Sequence, residues 1–171
     1  MKSVSALKLV DRAILPGVIV ISTKILGIFL ASLIFQIPWT ISLEPTGSNF
    51  LIFSFSSSEA LSTVTNFSDL VTILVCGLAF TWTIFQAQHL NIDFTHPTLI
   101  SKLIKKGKDF WLTTTGQVYH QAAVWLLLTW VVFFLIIINV YQGLTSSFVL
   151  GVSLTITLGL TFVFYKFAKD T

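Results

Sequence analysis

The chain has 171 residues, of which 54% are hydrophobic and only 10% are charged, and its mean hydropathy is +0.88. A soluble domain carries about 25% charged residues, so this composition excludes a water-soluble globular protein and indicates an integral membrane protein with long apolar runs. The net charge of +3 comes from basic residues at the edges of those runs. It therefore points to anionic lipid headgroups as partners and not to nucleic acid.

The first apolar run, residues 14–37, predicts the first transmembrane span. Basic residues precede it, as in a signal peptide, but the run is much longer than the roughly 7–15 residues of a signal-peptide core. We therefore expect a span that is retained in the protein. About 20 residues cross the hydrocarbon core, and residues 18–37 supply them.

Lys24 is a charged residue well inside this predicted span. A lysine at the centre of a bilayer costs roughly 2.5–3.5 kcal/mol, which the surrounding aliphatic residues outweigh. One interpretation is that its stem extends to the cytoplasmic headgroups. The alternative is that Lys24 belongs to an ion pathway or contacts a substrate. We favour the first.

Residues 38–68 predict a loop on the outer side of the membrane, because they include no Lys or Arg and many Ser and Thr. Within it, residues 49–55 are apolar enough to lie against the membrane. Ser56 and Glu59 have the spacing of a capping box, which predicts a short helix that runs toward the second span. The glycosylation sequon at residues 66–68 is interpreted as coincidental, because it adjoins that span.

The second span is predicted at residues 70–88. Asp69 then lies at its N-terminus, where a negative charge meets the positive end of the helix dipole. Cys76 falls within the span and is the chain's single cysteine, which excludes an intrachain disulfide. We interpret it as a small core residue.

The cytoplasmic loop, residues 89–119, contains a predicted basic amphipathic helix after Pro97. Leu99, Ile100 and Leu103 fall on one face of this helix. The segment is too short to span the bilayer, so it is expected to lie in the membrane interface. The lysines expected to contact anionic headgroups are Lys102, Lys105, Lys106 and Lys108.

Spans three and four are predicted at residues 122–141 and 148–164, joined by a tight connection in which Gly143 ends the preceding helix. Span three is rich in large aromatic side chains, so we expect it to be the most lipid-exposed helix. Asn139, late in span three, is expected to form a hydrogen bond across a helix interface.

Basic residues on one side of the membrane predict the topology. They occur before span one, between spans two and three, and after span four, whereas the two remaining loops have none. The positive-inside rule then places both termini in the cytoplasm. The predicted fold is an all-α integral membrane domain over residues 1–171, a bundle of four transmembrane helices with the basic interfacial helix in its cytoplasmic loop.

Small residues recur at four-residue spacing in three of the spans, which is typical of faces where helix backbones approach closely. A second, weakly polar stripe on span four consists of Ser153, Thr157 and Thr161, for which we favour helix packing over a hydroxyl-lined path. The residues predicted to pack helices are Thr23, Gly27, Ala31, Gly77, Thr81, Gly151, Thr155 and Gly159.

His89 and His120 could together ligate haem or a metal. Histidine is ordinary at such interfacial positions, and no carboxylate or cysteine accompanies this pair at ligand spacing. We therefore predict no metal and no cofactor. The sequence also has none of the common nucleophile, zinc or nucleotide motifs, so we predict no catalytic residues and no enzymatic activity.

The sequence favours a non-catalytic accessory or structural subunit of a membrane complex, with a membrane-protein partner or a second copy of this chain. The alternative is a small oligomeric channel or transporter. Its polar pathway would be formed by Lys24, Ser153, Thr157 and Thr161.

Overall fold

The computed structural model describes residues 2–43, 51–89 and 115–170. The predicted interfacial helix and its four lysines lie outside these ranges, so both remain predictions. The elements, in chain order, are α1 (Lys2–Ile34), β1 (Trp39–Leu43), β2 (Leu51–Phe55), α2 (Ser58–His89), α3 (Thr115–Tyr141) and α4 (Ser147–Asp170).

Each of the four helices contains a stretch that is long and apolar enough to cross a membrane. The mean hydropathy of these stretches lies between 1.9 and 2.6. This confirms the predicted bundle of four apolar helices. The stretches are Ala13–Ile34, Ser58–Gln88, Gln117–Tyr141 and Ser147–Lys169.

The second helix begins at Ser58, whereas the sequence-based span begins at residue 70. Its first turn is capped by Ser57, whose Oγ accepts the Ala60 N–H at 3.1 Å. The residues that follow are rich in Ser and Thr and therefore resemble a loop. In the helix, hydroxyls such as that of Thr63 donate to carbonyls one turn earlier, so they are hydrogen-bonded without interrupting it.

A β-hairpin lies between α1 and α2. Its strands are antiparallel, with Trp39 opposite Phe55 and Leu43 opposite Leu51. The second strand, Leu51–Phe55, forms most of the apolar segment 49–55, whose expected position against the membrane or over the bundle stays a prediction. The Trp39 ring contacts that of Phe29 on α1 edge to face, at a centroid distance of 5.1 Å, and so holds the hairpin against the end of α1.

The helices form a bundle in which α2 packs against each of the others and α3 packs against α1, α2 and α4. We call the end that carries the β-hairpin and the α3–α4 turn the hairpin end, and the opposite end the terminal end. Two apolar clusters fill the interior. The first is formed by Ile73, Cys76, Val132, Ile136 and Val149, and the second by Phe80, Ile84, Ala122 and Trp125.

The expectation that span three is the most lipid-exposed helix is wrong. In its membrane-spanning window 33% of the residues are buried, against 17% for α1 and for α4. The reason is that its large side chains interdigitate with the neighbouring helices, as Trp125 and Ile136 do in the two clusters. Cys76 is fully buried, which confirms its interpretation as a core residue.

Candidate functional site

The contact between α1 and α2 is closest at Gly27. A Cβ atom at this position would lie only 2.9 Å from the Cα of Ser68. The Ser68 hydroxyl donates to the Lys24 carbonyl oxygen at 2.7 Å. Because Gly27 lacks a side chain, the two backbones approach closely, and this brings the Lys24 side chain to α2.

The Asp69 carboxylate receives hydrogen bonds from three parts of the chain. The Lys24 ammonium on α1 donates to Oδ1 and forms an ion pair with it. The Asn139 Nδ2 on α3 donates to Oδ2 at 2.9 Å, and the Thr145 hydroxyl in the α3–α4 turn donates to Oδ2 at 2.6 Å. We call Lys24, Asp69, Asn139 and Thr145 the Asp69 cluster.

The two charged members of the Asp69 cluster differ in burial. Asp69 is 3% exposed, whereas 33% of the Lys24 side-chain surface is exposed. A buried carboxylate is stable only when it is paired and hydrogen-bonded, and both oxygens of Asp69 meet this requirement. The lysine stays partly accessible at the edge of the cluster. The pair is therefore a neutral unit that joins α1 to the centre of the bundle.

A second polar contact fixes the α3–α4 turn beside the Asp69 cluster. The Asn66 Oδ1 on α2 accepts the Ser146 N–H at 2.6 Å, and Ser146 precedes the first turn of α4. Gly143 allows the turn to form because its φ of +72° suits glycine.

The sequence predicted some features of this cluster and missed others. The expected hydrogen bond of Asn139 across a helix interface is confirmed. Lys24 pairs with Asp69, in place of the predicted extension to cytoplasmic headgroups. Asp69 lies within α2 and not at its start, because the helix begins at Ser58. The signal for this cluster in the sequence was the presence of polar residues within apolar runs. It does not identify their partners, because Lys24 and Asn139 are 45 and 70 residues from Asp69 in the chain.

The hydroxyl stripe of span four lies in helix contacts. Ser153 and Thr157 are fully buried, and their hydroxyls donate to the carbonyls of Leu150 and Ser153 on their own helix. Thr161 accepts a hydrogen bond from the Trp130 indole at 3.2 Å. The structure does not bring this stripe to Lys24, because it begins about 9 Å along α4 from Ser147 and continues away from the turn.

The small residues predicted to pack helices divide into two groups. In the first, Gly27 and the fully buried Ala31 face the interior of the bundle. On the same helix, the Thr23 hydroxyl donates a hydrogen bond to the Ile19 carbonyl oxygen. In the second group, Gly151 and Gly159 face outward, and a Cβ added at either position would have no atom within 4 Å.

An open groove of about 330 Å³ runs between α2 and α4. Four of the predicted packing residues line it, so this part of the α2–α4 contact is left unfilled by their small side chains. The groove is mostly apolar. Its lining consists of Gly77, Thr81, Thr155 and Gly159 together with Leu74, Leu78, Ile156 and Leu160.

The two histidines lie near the terminal end. His120 is exposed near the start of α3, and His89 is the last residue of α2, with its side chain outside the described set. Among the described residues no group of three His, Cys, Asp or Glu side chains could hold a metal ion. Comparison of the chain with protein-family models, curated proteins and solved structures found no match.

Proposed function

We propose that this chain is a non-catalytic accessory or structural subunit of a membrane complex. The observation that carries the proposal is the Asp69 cluster, in which an ion pair is used inside the bundle to join α1, α2, α3 and the α3–α4 turn. Ionisable residues within membrane spans commonly serve transport or proton transfer. In this bundle the charges of Lys24 and Asp69 are engaged with each other, which favours a structural role.

The outward face of α4 supports the proposal of a protein partner. Gly151, Thr155 and Gly159 recur at four-residue spacing and are exposed. Small residues at this spacing allow another helix to approach closely, which favours helix association within lipid. The partner is a transmembrane helix of another protein or of a second copy of this chain.

The proposed orientation has both termini in the cytoplasm. Lys2, Lys8 and Arg12 precede the first apolar stretch, and Lys166 and Lys169 end α4, whereas residues 38–68 and 142–146 have no Lys or Arg. The positive-inside rule then assigns the terminal end to the cytoplasmic side. The lysines of the loop after α2 contact anionic headgroups on that side, and no nucleic acid is involved.

The alternative, a small oligomeric channel or transporter, has less support. It requires Lys24 and the hydroxyls of Ser153, Thr157 and Thr161 to line one path. Lys24 is engaged by Asp69 at the hairpin end, and Ser153 and Thr157 are enclosed by neighbouring helices.

The proposal is tested by extracting the protein from its own membrane in a mild detergent, measuring the native particle mass and identifying co-purifying chains by mass spectrometry. We expect a particle with other membrane proteins. The double variant Gly151→Leu/Gly159→Leu, which fills the outward face, should lose them. The control Gly17→Leu adds one leucine side chain on α1, also with no atom within 4 Å of its Cβ, and should keep them.

Two outcomes would contradict the proposal. A discrete particle that contains this chain alone would favour the channel or transporter, and Lys24 would then be the first residue to replace in a transport assay. A large particle whose composition is unchanged in the double variant would exclude the outward face of α4 as the contact surface.

A further inference from the structure

The Asp69 cluster marks a common level across the four helices. The Lys24 carbonyl is bonded to Ser68 on α2, and Asn66 on α2 is bonded to Ser146 in the α3–α4 turn. Asp69 itself contacts the last turn of α3 through Asn139. The middle of α1 and the turn that joins α3 to α4 therefore lie at the same height along the bundle.

From this level α1 continues toward the hairpin end, whereas α3 ends and α4 begins. The ten helical residues from Ile25 to Ile34, at 1.5 Å each, rise about 15 Å above the α3–α4 turn. This is half the roughly 30 Å thickness of the hydrocarbon core. The hairpin end of the bundle is therefore stepped. We call residues 25–35 the α1 step.

The surface of the α1 step is apolar. At 100° per residue, the exposed side chains from Ile25 to Ile34 cover about 180° of the helix circumference. A single partner helix would cover a narrower stripe. The exposed apolar side chains of the step are Ile25, Leu26, Leu30, Leu33, Ile34 and Phe35, and they continue the exposed apolar surface of α1 that begins at Ile14.

The α3–α4 turn, at the foot of the step, is polar. Gln142, Ser146 and Ser147 are exposed there, and non-helical backbone is not tolerated in contact with lipid tails. From Ser147 to Lys166 helix α4 rises about 29 Å, which matches the hydrocarbon core. Helix α4 thus fits a bilayer whose boundary is at the turn, whereas α1 fits one whose boundary lies farther out.

We propose that lipid acyl chains cover the α1 step, while the α3–α4 turn at its foot is in water. The occupant is lipid, because the stretch of α1 that is long and apolar enough to cross a membrane runs from Ala13 through the step to Ile34, and because the exposed arc of the step is broader than one partner helix would cover. The boundary of the hydrocarbon core then slopes across the protein between α1 and α4. A chain with such a step tilts in the bilayer or thins it locally beside the α3–α4 turn.

The experiment compares nitroxide labels at Leu33→Cys and Gln142→Cys, each in a Cys76→Ala background and in phosphatidylcholine vesicles. Both parent residues are exposed, Leu33 at 73%, so the labels project away from the bundle. Oxygen, which concentrates in hydrocarbon, and a water-soluble nickel chelate broaden the label spectra on collision. The reference labels are at Leu127, exposed in the middle of α3, and at Lys169, exposed near the end of α4.

We expect the oxygen-to-nickel ratio of the Leu33 label to lie well above that of the Lys169 label and below that of the Leu127 label, because the ratio rises with depth and Leu33 is near the outer end of the step. We expect the ratio of the Gln142 label to equal that of the Lys169 label. A Leu33 label that collides with nickel as the Lys169 label does would overturn the proposal, because the step would then project into water. A Gln142 label with the ratio of the Leu127 label would also overturn the proposal, because the turn would then lie in hydrocarbon. A Leu33 label that collides with neither reagent would overturn it too, because a second copy of the chain would then cover the step. Unchanged helical circular dichroism and one elution peak show that each variant is folded.

Discussion

At the scale of single residues, the energetics of the Asp69 cluster depend on which charge is left behind when a partner is removed. Asp69 is 3% exposed, whereas Lys24 retains 33% of its side-chain surface. An uncompensated buried charge is strongly destabilising, by about 3–5 kcal/mol when a buried ion pair is broken. A lysine that still reaches the surface avoids part of this cost. Loss of Lys24 therefore leaves a buried charge without its partner, whereas loss of Asp69 leaves the donors of Asn139 and Thr145 without their acceptor.

We predict that Lys24→Ala lowers the free energy of unfolding by about 3 kcal/mol, because the Asp69 carboxylate is left buried without its counter-charge. Adding Asp69→Asn to Lys24→Ala should recover part of the loss, because the second change removes the stranded negative charge. Unfolding of the purified variants is followed by circular dichroism in mixed micelles with increasing dodecyl sulfate. If Asp69→Asn further destabilises the Lys24→Ala variant, the two charges are not coupled as described.

A variant of Thr145 tests the hydrogen bond to Oδ2, the second oxygen of the Asp69 carboxylate. Thr145→Val keeps the branched shape but removes the donor to Oδ2, and we expect it to cost about 1–3 kcal/mol, the penalty for an unsatisfied buried polar group. Thr155→Val is the matched control, because its hydroxyl donates to the Gly151 carbonyl at an exposed position. The same titration should show little change for the control, and equal losses for both variants would contradict this role of Thr145.

At the scale of helices, the α1–α2 contact depends on one glycine. A side chain at Gly27 would meet the backbone of Ser68, which has no flexible end to give way. The two helices must then separate, and the hydrogen bond from Ser68 to the Lys24 carbonyl lengthens with them. The geometry of the Asp69 cluster therefore depends on Gly27.

We predict that Gly27→Ala destabilises the protein by about 1–3 kcal/mol through overpacking. Gly17→Ala on the same helix is the control, because its added Cβ would meet no atom within 4 Å. Thermal unfolding in detergent should show a lower midpoint for Gly27→Ala only. A wild-type midpoint for Gly27→Ala would show that the close contact at Ser68 relaxes without cost.

The helix boundaries show which elements can be predicted from sequence patterns. Long apolar runs predict the end of α3 and the start of α4 to within one residue, because Tyr141 and Ser147 adjoin a connection with a clear glycine signal. They do not predict the outer ends, because α3 begins at Thr115 and α4 ends at Asp170, beyond the predicted spans. Apolar runs alone do not predict the start of α2, since a Ser- and Thr-rich helix has the composition of a loop. The capping-box spacing of Ser56 and Glu59 did predict a helix start, and it lies close to the observed one at Ser58. The strand Leu51–Phe55 was also missed, because its pairing with Trp39–Leu43 depends on a partner on the other side of a loop.

At the scale of the whole molecule, the proposed topology places both termini on one side of the membrane. We predict that a membrane-impermeant maleimide labels Thr40→Cys, at the exposed start of β1, in intact cells. Lys169→Cys should react only after the membrane is permeabilised, because the positive-inside rule assigns it to the cytoplasm. Labelling of Lys169→Cys in intact cells would reverse the orientation. Both variants keep Cys76, which is buried and should not react.

The candidate site was less predictable than the bundle, for a physical reason. The periodicity of a span reports which face is apolar, but it carries no information on which distant residue pairs with a polar one. Lys24 and Asn139 were both recognised as unusual within their spans. Their common partner, Asp69, was assigned to a helix end, because the polar residues before it looked like a loop.

The ion pair also has a consequence for the order in which the protein is made. Lys24 and Asp69 belong to α1 and α2, which leave the ribosome before α3 and the turn that carry Asn139 and Thr145. Once α2 has entered the membrane, the lysine of the first helix has its counter-charge. The helix pair α1–α2 can therefore insert as a neutral unit before the rest of the chain has been translated. The helix pair α3–α4 then supplies the remaining hydrogen bonds to the Asp69 carboxylate.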